Sequence, residues 1–286
     1  MWDPNLGDID GVIERALAED LATTDITTTA TVPPKRRARA ELWAKSAMTL
    51  CGLPVFARVF RRLDPDAAVQ VLVDEGAAVG PHTLVARVDG NARAMLAAER
   101  TALNLVQRMS GVATSTRAYV EAAGGQCRIT DTRKTTPGLR ALERYAVRCG
   151  GGHNHRNDLG SGVLIKENHI RCAGGITAAI TAVRSTAPHG LRIECEVTSL
   201  DELQEALTAG AEAVLLDNMS DDQVRDAVKI ADGRVLIEVS GGITLKRVPR
   251  LAALGIDLIS VGALTHSAPA ADLSLLVTVS TGDASA

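Results

Sequence analysis

Between residues 127 and 262 the chain repeats one pattern six times, and that repetition constrains its fold more than any other feature. Short runs rich in β-branched residues recur every 21 to 35 residues: CRITD (127–131), GVLIK (162–166), RIECEV (192–197), AVLLD (213–217), RVLIEV (234–239) and LISVG (258–262). Helical patterns separate most of them, among them SLDELQEALTAG (199–210), SDDQVRDAVKI (220–230) and TLKRVPRLAALG (244–255). Ser199 and Ser220 suit N-caps, and Gly210 and Gly255 suit the positions just past a helix end. Strand and helix in alternation predict a parallel sheet with crossover helices. Six such units suit a barrel, complete or incomplete, or an open doubly wound sheet. No G-x-G-x-x-G follows the first strand, which disfavours the dinucleotide-binding form of the open sheet.

The first part of the chain has another rhythm. IDGVIERALAEDL (9–21) places Ile9, Val12, Ile13, Ala16 and Leu17 on one helical face. TATVPPKRRARAELWAKSAMTLCG reads as a proline-marked turn and a strand, PVFARVFRRL as a helix, and AAVQVLVDEGAAVGPHTLVARVDG as short antiparallel strands. Two helices are expected around 92–108 and 111–123. This part is α+β. Near the end, ADLSLLVTVS is strand-like with no helix after it, so it is expected to return to the first part's sheet, and TGDASA to fray.

Composition narrows the function classes. A formal net charge of −3 and only six aromatic residues argue against general nucleic-acid binding. The five cysteines are scattered and odd in number, as free thiols in a reducing compartment would be. MWDPNLGDID lacks the apolar core of a secretory signal, and no apolar run has the length of a membrane helix, so a cytoplasmic protein without membrane contact is expected.

The polar residues fall at strand ends. Asp131, Arg133 and Lys134 follow the first run, and Lys166 ends the second. Glu196 is near the end of the third, Asp217 ends the fourth, Ser240-Gly241-Gly242 follows the fifth, and Gly262 ends the sixth with Thr265 and His266 beyond. In a parallel barrel all of these share the carboxyl rim, where such folds do chemistry. Lys166 follows residues that should be buried; it can bind an anion, pair with an acid, or form a Schiff base if it loses its proton. Glu196 and Asp217 can hold Mg²⁺ through water, accept from sugar hydroxyls, or pair with nearby cations. SGGIT (240–244), with Thr244 read as capping the helix that follows, and VGALTHS (261–267) present backbone N–H groups suited to a phosphate.

The stretch DTRKTTPGLRALERYAVRCGGGHNHR (131–156) gathers six basic side chains, with two histidines and only two acids. Arg140, Arg144 and Arg148, spaced i, i+4, i+8, read as an outer helix face, opposite Leu139, Leu142, Ala146 and Cys149. Thr135 or Thr136 is expected to cap this helix, with Pro137 in its first turn and Gly150 at its end. Arg133, Lys134, His153, His155 and Arg156 remain. The H-x-H pair has no third ligand nearby in sequence, so a metal role is disfavoured. Two arginines with lysine and histidine suit a small molecule bearing two carboxylates.

That stretch, with LIKENHI, LLDNMS, SGGIT, SVGALTHSAP, ALAEDL…DITT and AERTALNLVQRMSGVAT, strongly resembles the quinolinate phosphoribosyltransferase family over nearly the whole chain. The resemblance implies an α/β fold: an N-terminal α/β sandwich-like domain over 1–112, rejoined by about 270–286, beside an incomplete parallel α/β barrel over 113–269. It implies transfer of a phosphoribosyl group from 5-phosphoribosyl 1-pyrophosphate to quinolinate, releasing pyrophosphate and CO₂ in de novo NAD biosynthesis, with Mg²⁺ accompanying the pyrophosphate. A homodimer, or a hexamer of dimers, is implied as well. Quinolinate would be held by Thr132, Arg133, His155, Arg156 and Lys166, with Arg100 reaching in from a partner subunit. The phosphoribosyl pyrophosphate would meet Lys134, Lys166, Glu196, Asp217, Ser240, Gly241, Gly262 and His266; the catalytic set would be Lys134, Lys166, Glu196 and Asp217. Two departures, ATTDITT where a glycine-bearing GxGDITT is frequent and Glu167 where Asp is frequent, touch none of these residues.

Overall fold

The computed structural model describes residues 9–21 and 23–279, so the closing TGDASA and the first eight residues lie outside the described part. The chain forms two compact units: 1–115 with 135–151 and 267–286, and 116–134 with 152–266. In chain order the elements are α1 (Ile9–Asp20), α2 (Ile26–Thr31), β1 (Arg37–Ala44), β2 (Met48–Thr49), α3 (Leu53–Leu63), β3 (Ala68–Val71), β4 (Ala78–Val79), β5 (Thr83–Asn91) and α4 (Ala92–Ala123). There follow β6 (Arg128–Thr130), α5 (Arg140–Cys149), β7 (Val163–Ile165), α6 (Glu167–Ala173), α7 (Ile176–Thr186), β8 (Ile193–Val197), α8 (Leu200–Ala209) and β9 (Ala213–Asp217). The last are α9 (Asp221–Ala231), β10 (Leu236–Ser240), α10 (Val248–Ala252), β11 (Leu258–Ser260), α11 (Ala263–His266) and β12 (Leu273–Val279).

The first unit carries an antiparallel sheet of order β12-β1-β5-β3. Ala38, Ala40, Leu42 and Ala44 of β1 alternate inward, as expected of a sheet with one covered face. The returning strand is β12, paired with β1 from Ala44↔Leu273 to Ala38↔Val279. Phe56 and Phe60 of α3 are fully buried with ring centroids 4.9 Å apart, within the favourable range for tilted aromatic pairs. The two helices expected over 92–123 are one helix of 32 residues. Gly111 does not break it, because that glycine serves a close approach: a Cβ there would stand 2.0 Å from the Pro269 carbonyl oxygen.

The second unit is the repeating part. Its six strands are all parallel, in the order β6-β11-β10-β9-β8-β7. Read from β7, the order follows the chain round to β11 and then the first strand, β6. That is a barrel sequence left open between β6 and β7, not a doubly wound sheet with a reversal. Ser199 and Ser220 cap α8 and α9, accepting from Glu202 N and Gln223 N, and Gly210 closes α8 in the left-handed region.

Two helix starts differ from expectation. Helix α5 begins at Arg140, past both threonines, because Gly138 takes φ +80° and turns the chain; Gly150 does end it. Helix α10 begins at Val248, not after Thr244, because Gly241 and Gly242 hold positive φ and Pro249 suits a later first turn. Among the described residues, no helix is long and apolar enough to cross a membrane.

Candidate active site

A cavity of about 290 Å³ opens at the carboxyl ends of the barrel strands. The parallel register explains which side chains line it. Glu196 and Glu238 both align with Leu215, so β8, β9 and β10 contribute one level, and Asp217 aligned with Ser240 forms the next. Side chains two residues apart share a face, so Leu215 with Asp217 and Glu238 with Ser240 all reach the cavity. Thr132, Arg133 and Lys134 enter after β6, His155 and Arg156 from the segment that follows α5, and Lys166 from the end of β7.

The HNHR segment is pinned by a residue whose job the sequence did not disclose. Asp131 is fully buried; its Oδ1 accepts His155 N–H at 2.7 Å and its Oδ2 accepts Asn154 Nδ2 at 2.6 Å. Arg156 donates from Nη1 to the Gly162 carbonyl at 3.1 Å. Burial and the positive charge of Arg133 both press against the Arg156 charge, and Glu194 offsets them in part. Two arginines held in mutual repulsion at a cavity favour an anionic ligand.

Glu194 and Glu238 escaped the sequence reading, yet they stand directly behind His155. Its Nε2 lies 3.3 Å from Glu194 Oε2 and 3.5 Å from Glu238 Oε2, with the acids 12% and 4% exposed. Burial opposes a charge on His155, but hydrogen bonds to the two acids and their charge outweigh it and draw its pKa up to about 10. Burial also raises Glu194 above the usual carboxylate range. His155 Nδ1 accepts the Arg156 N–H at 2.7 Å, which turns Nε2 toward the two acids. A signal was available: Glu194 precedes Glu196, and Glu238 precedes Ser240, by two residues on the same strand face.

Lys166 Nζ pairs with Glu196 Oε2 at 2.9 Å while the lysine side chain stays 47% exposed. An ion-paired, half-exposed amine is not the desolvated group a Schiff base needs. Asp217 Oδ2 accepts from Asn218 Nδ2 at 2.8 Å. Gly241 holds φ +88°, and a Cβ there would lie 2.3 Å from Asn218 Oδ1, so only glycine lets this turn pass. Gly262 fits between neighbours too: a Cβ would stand 3.1 Å from Lys134 Cδ and 3.2 Å from His266 Nε2. Thr265 Oγ1 donates to the Lys134 carbonyl at 2.8 Å and fixes that turn. Gly241, Gly262 and His266 thus adjoin the lining residues without being among them. Arg100 is not brought there; it lines a cavity of the first unit with Arg15 and Asn104.

An open parallel barrel whose carboxyl rim joins paired arginines, lysines, two acids and glycine turns defines an enzyme class that handles small, multiply charged anions. Residues 25–110 match the quinolinate phosphoribosyl transferase N-terminal domain and residues 112–276 its C-terminal domain. The chain belongs to the quinolinate phosphoribosyltransferase family. It is 44% identical over 270 residues to the nicotinate-nucleotide pyrophosphorylase [carboxylating] of Mycobacterium leprae, covering 92% of this chain and 95% of that one. The human enzyme of the same name is 42% identical over 243 residues, 83% of this chain and 81% of its own. The solved nicotinate-nucleotide pyrophosphorylase of Francisella tularensis superposes with a TM-score of 0.91 at 41% identity, covering 96% and 98% of the two chains.

Proposed function

We infer that this chain joins quinolinate to 5-phosphoribosyl 1-pyrophosphate, forming nicotinate mononucleotide, pyrophosphate and CO₂ in NAD biosynthesis. The observation that carries this reading is that one cavity is lined by Arg133, His155 and Arg156 together with Lys134, Lys166, Glu196 and Asp217. The arginines and the histidine suit a dicarboxylate, and the lysines and acids suit a charged sugar phosphate.

As the bond from ribose C1 to pyrophosphate breaks, positive charge grows at C1 and negative charge on the leaving group. Lys134 and Lys166 meet the negative charge, and Glu196 and Asp217 face the positive. The pyridine nitrogen bonds to C1; once quaternised, it stabilises the electron pair left at the adjacent carbon as the carboxylate departs as CO₂, and a proton completes that carbon. Arg133, Arg156 and His155, with Thr132 beside them, hold the ring dicarboxylate in place, so catalysis is mostly positioning and charge placement. Ser240, Gly241, Gly262 and His266 are suited to the 5′-phosphate. Glu196 and Asp217 offer the hard oxygen ligands that Mg²⁺ takes, and both line the cavity. When bound with the pyrophosphate, that ion neutralises charge on the leaving oxygens.

The enzyme acts in the cytoplasm as a homodimer, or as a hexamer of such dimers, in which Arg100 of one subunit reaches the quinolinate site of the other. An ultraviolet assay of nicotinate mononucleotide formation tests the reaction. Turnover with quinolinate and not with nicotinate is expected; no product with quinolinate and 5-phosphoribosyl 1-pyrophosphate together with Mg²⁺ overturns the reading.

A further inference from the structure

Three residues far apart in sequence, Cys51, Glu75 and Cys149, meet in the first unit, and none of them lines the barrel cavity. The two sulfurs and the carboxylate lie within 4.8 Å of one another. The backbone arranges this meeting. Cys51 N–H donates to Ser110 Oγ at 3.0 Å, which fixes the turn ahead of α3. Gly76 N–H donates to the Leu50 carbonyl at 2.8 Å, and a Cβ on Gly76 would stand 3.1 Å from the Cys149 carbonyl oxygen. The segments around residues 50, 76 and 149 are therefore in direct contact.

Glu75 is already engaged. It accepts from Gly52 N–H at 2.9 Å, from Leu53 N–H at 2.6 Å and from Tyr145 Oη at 3.2 Å, and so serves as the cap of α3. That leaves two thiols side by side with a carboxylate fixed beside them. We propose that Cys51 and Cys149 are a peroxide-responsive thiol pair that closes into a disulfide.

The two sulfurs are suited to different parts in that reaction. Cys51 is fully buried, and burial, then its contacts with Cys149 and Glu75, pushes its thiol up. Cys149 is only partly buried, and the hydrogen bond with Cys51 lowers its pKa despite burial. Its S–H donates to Glu75 Oε2 at 3.7 Å, a contact that works against the loss of that proton but does not outweigh the hydrogen bond with Cys51. Cys149 is the sulfur that a small oxidant reaches and the one that more readily gives up its proton. Its thiolate attacks one oxygen of hydrogen peroxide: the S–O bond forms, the O–O bond breaks, and the hydroxide released takes a proton to become water. Cys51 then attacks the sulfenic sulfur: the S–S bond forms, the S–O bond breaks, and the hydroxyl leaves as water with the Cys51 proton. Two thiols lose two electrons, and one peroxide becomes two waters. Side-chain rotation must bring the sulfurs from contact to a bond of about 2.05 Å.

The cross-link is independent of the activity proposed for the barrel, and its test needs no enzyme assay. The full-length reduced protein is treated with hydrogen peroxide, its remaining thiols are alkylated, and it is digested without reductant. A peptide pair joining Cys51 to Cys149, lost on adding dithiothreitol, is expected, with three of the five cysteines still alkylated. In a Cys51→Ala variant, Cys149 is expected to be labelled by dimedone, a trap for sulfenic acid. Because the bond closes a long loop, the oxidised wild type should unfold at higher urea than the reduced protein. Oxidation confined to the exposed Cys172, with Cys51 and Cys149 both still alkylated, overturns the proposal.

Discussion

His155 meets two buried acids at one nitrogen, and its dependence on pH follows from that contact. Glu194 reaches it from β8 and Glu238 from β10; Asp131 holds its backbone, and the positive Arg133 and Arg156 stand nearby. The imidazole pKa goes from 6.5 to about 10 on folding, so the folded chain binds more protons than the unfolded one between those values. A raised pKa gives stability that is complete below the unfolded value and is lost as pH climbs through the folded one. The urea midpoint of the wild type is thus expected to fall between pH 6.5 and 9.5, and to fall less in Glu238→Gln. Equal slopes in the two proteins would remove the acids from the account. In the same cavity, Lys134→Ala and Lys166→Ala should each lower kcat/KM by about 100-fold or more, close to 3 kcal/mol of lost transition-state stabilisation. Steady-state kinetics with both substrates varied provides the check, and near-wild-type turnover in both variants counts against the assignment.

At the scale of the element, α5 shows how a basic stretch divides. The spacing of Arg140, Arg144 and Arg148 reads as an outer face, but of the three only Arg148 is exposed; Arg140 and Arg144 are half-buried, and Arg140 donates to Thr135 Oγ1 at 3.0 Å, while Leu142, Tyr145, Ala146 and Val147 turn inward. Glu143 turns inward as well and is wholly buried, where it takes two guanidinium nitrogens of Arg108, the nearer at 2.6 Å, and the Thr136 N–H at 3.0 Å. Removing one partner of a buried pair strands the other charge. Glu143→Ala should therefore cost about 3–5 kcal/mol in urea unfolding, whereas Arg144→Ala should leave turnover largely intact. The strands and the α8 and α9 caps were legible because β-branched runs and serine caps are local signals. Where a glycine's role depended on distant backbone, the local signal misled. The break expected between helices near residues 109–110 is absent, and Gly111 inside the single helix is there for the close approach of Pro269; Gly138 is the reason α5 starts after its apparent threonine caps. The acids behind His155 were legible in principle, from strand alternation, but only once the register had put β8 and β10 around one cavity.

At the scale of the whole molecule, the cavity rim was readable from strand ends because parallel strands bring their carboxyl ends to one side whatever lies between them. Arg100 does not follow that rule: it belongs to α4, with Arg15 and Asn104 around it, and it lines no part of the barrel cavity. If Arg100 serves the site of a second subunit, two inactive variants must complement. Arg100→Ala and Lys166→Ala, each inactive alone, are unfolded together and refolded as a mixture. Half of the dimers pair unlike chains under random association. In each of these, the site built on the Arg100→Ala chain has its own Lys166 and receives an intact Arg100 from the partner. The other site carries both defects. About a quarter of all sites should then be whole, so the mixture should recover about a quarter of wild-type turnover. Two differently tagged chains, purified through both tags, isolate the mixed dimer and should raise the recovery to about half. Mixed dimers isolated in this way with no activity above either parent would show that Arg100 works within its own chain or not at all.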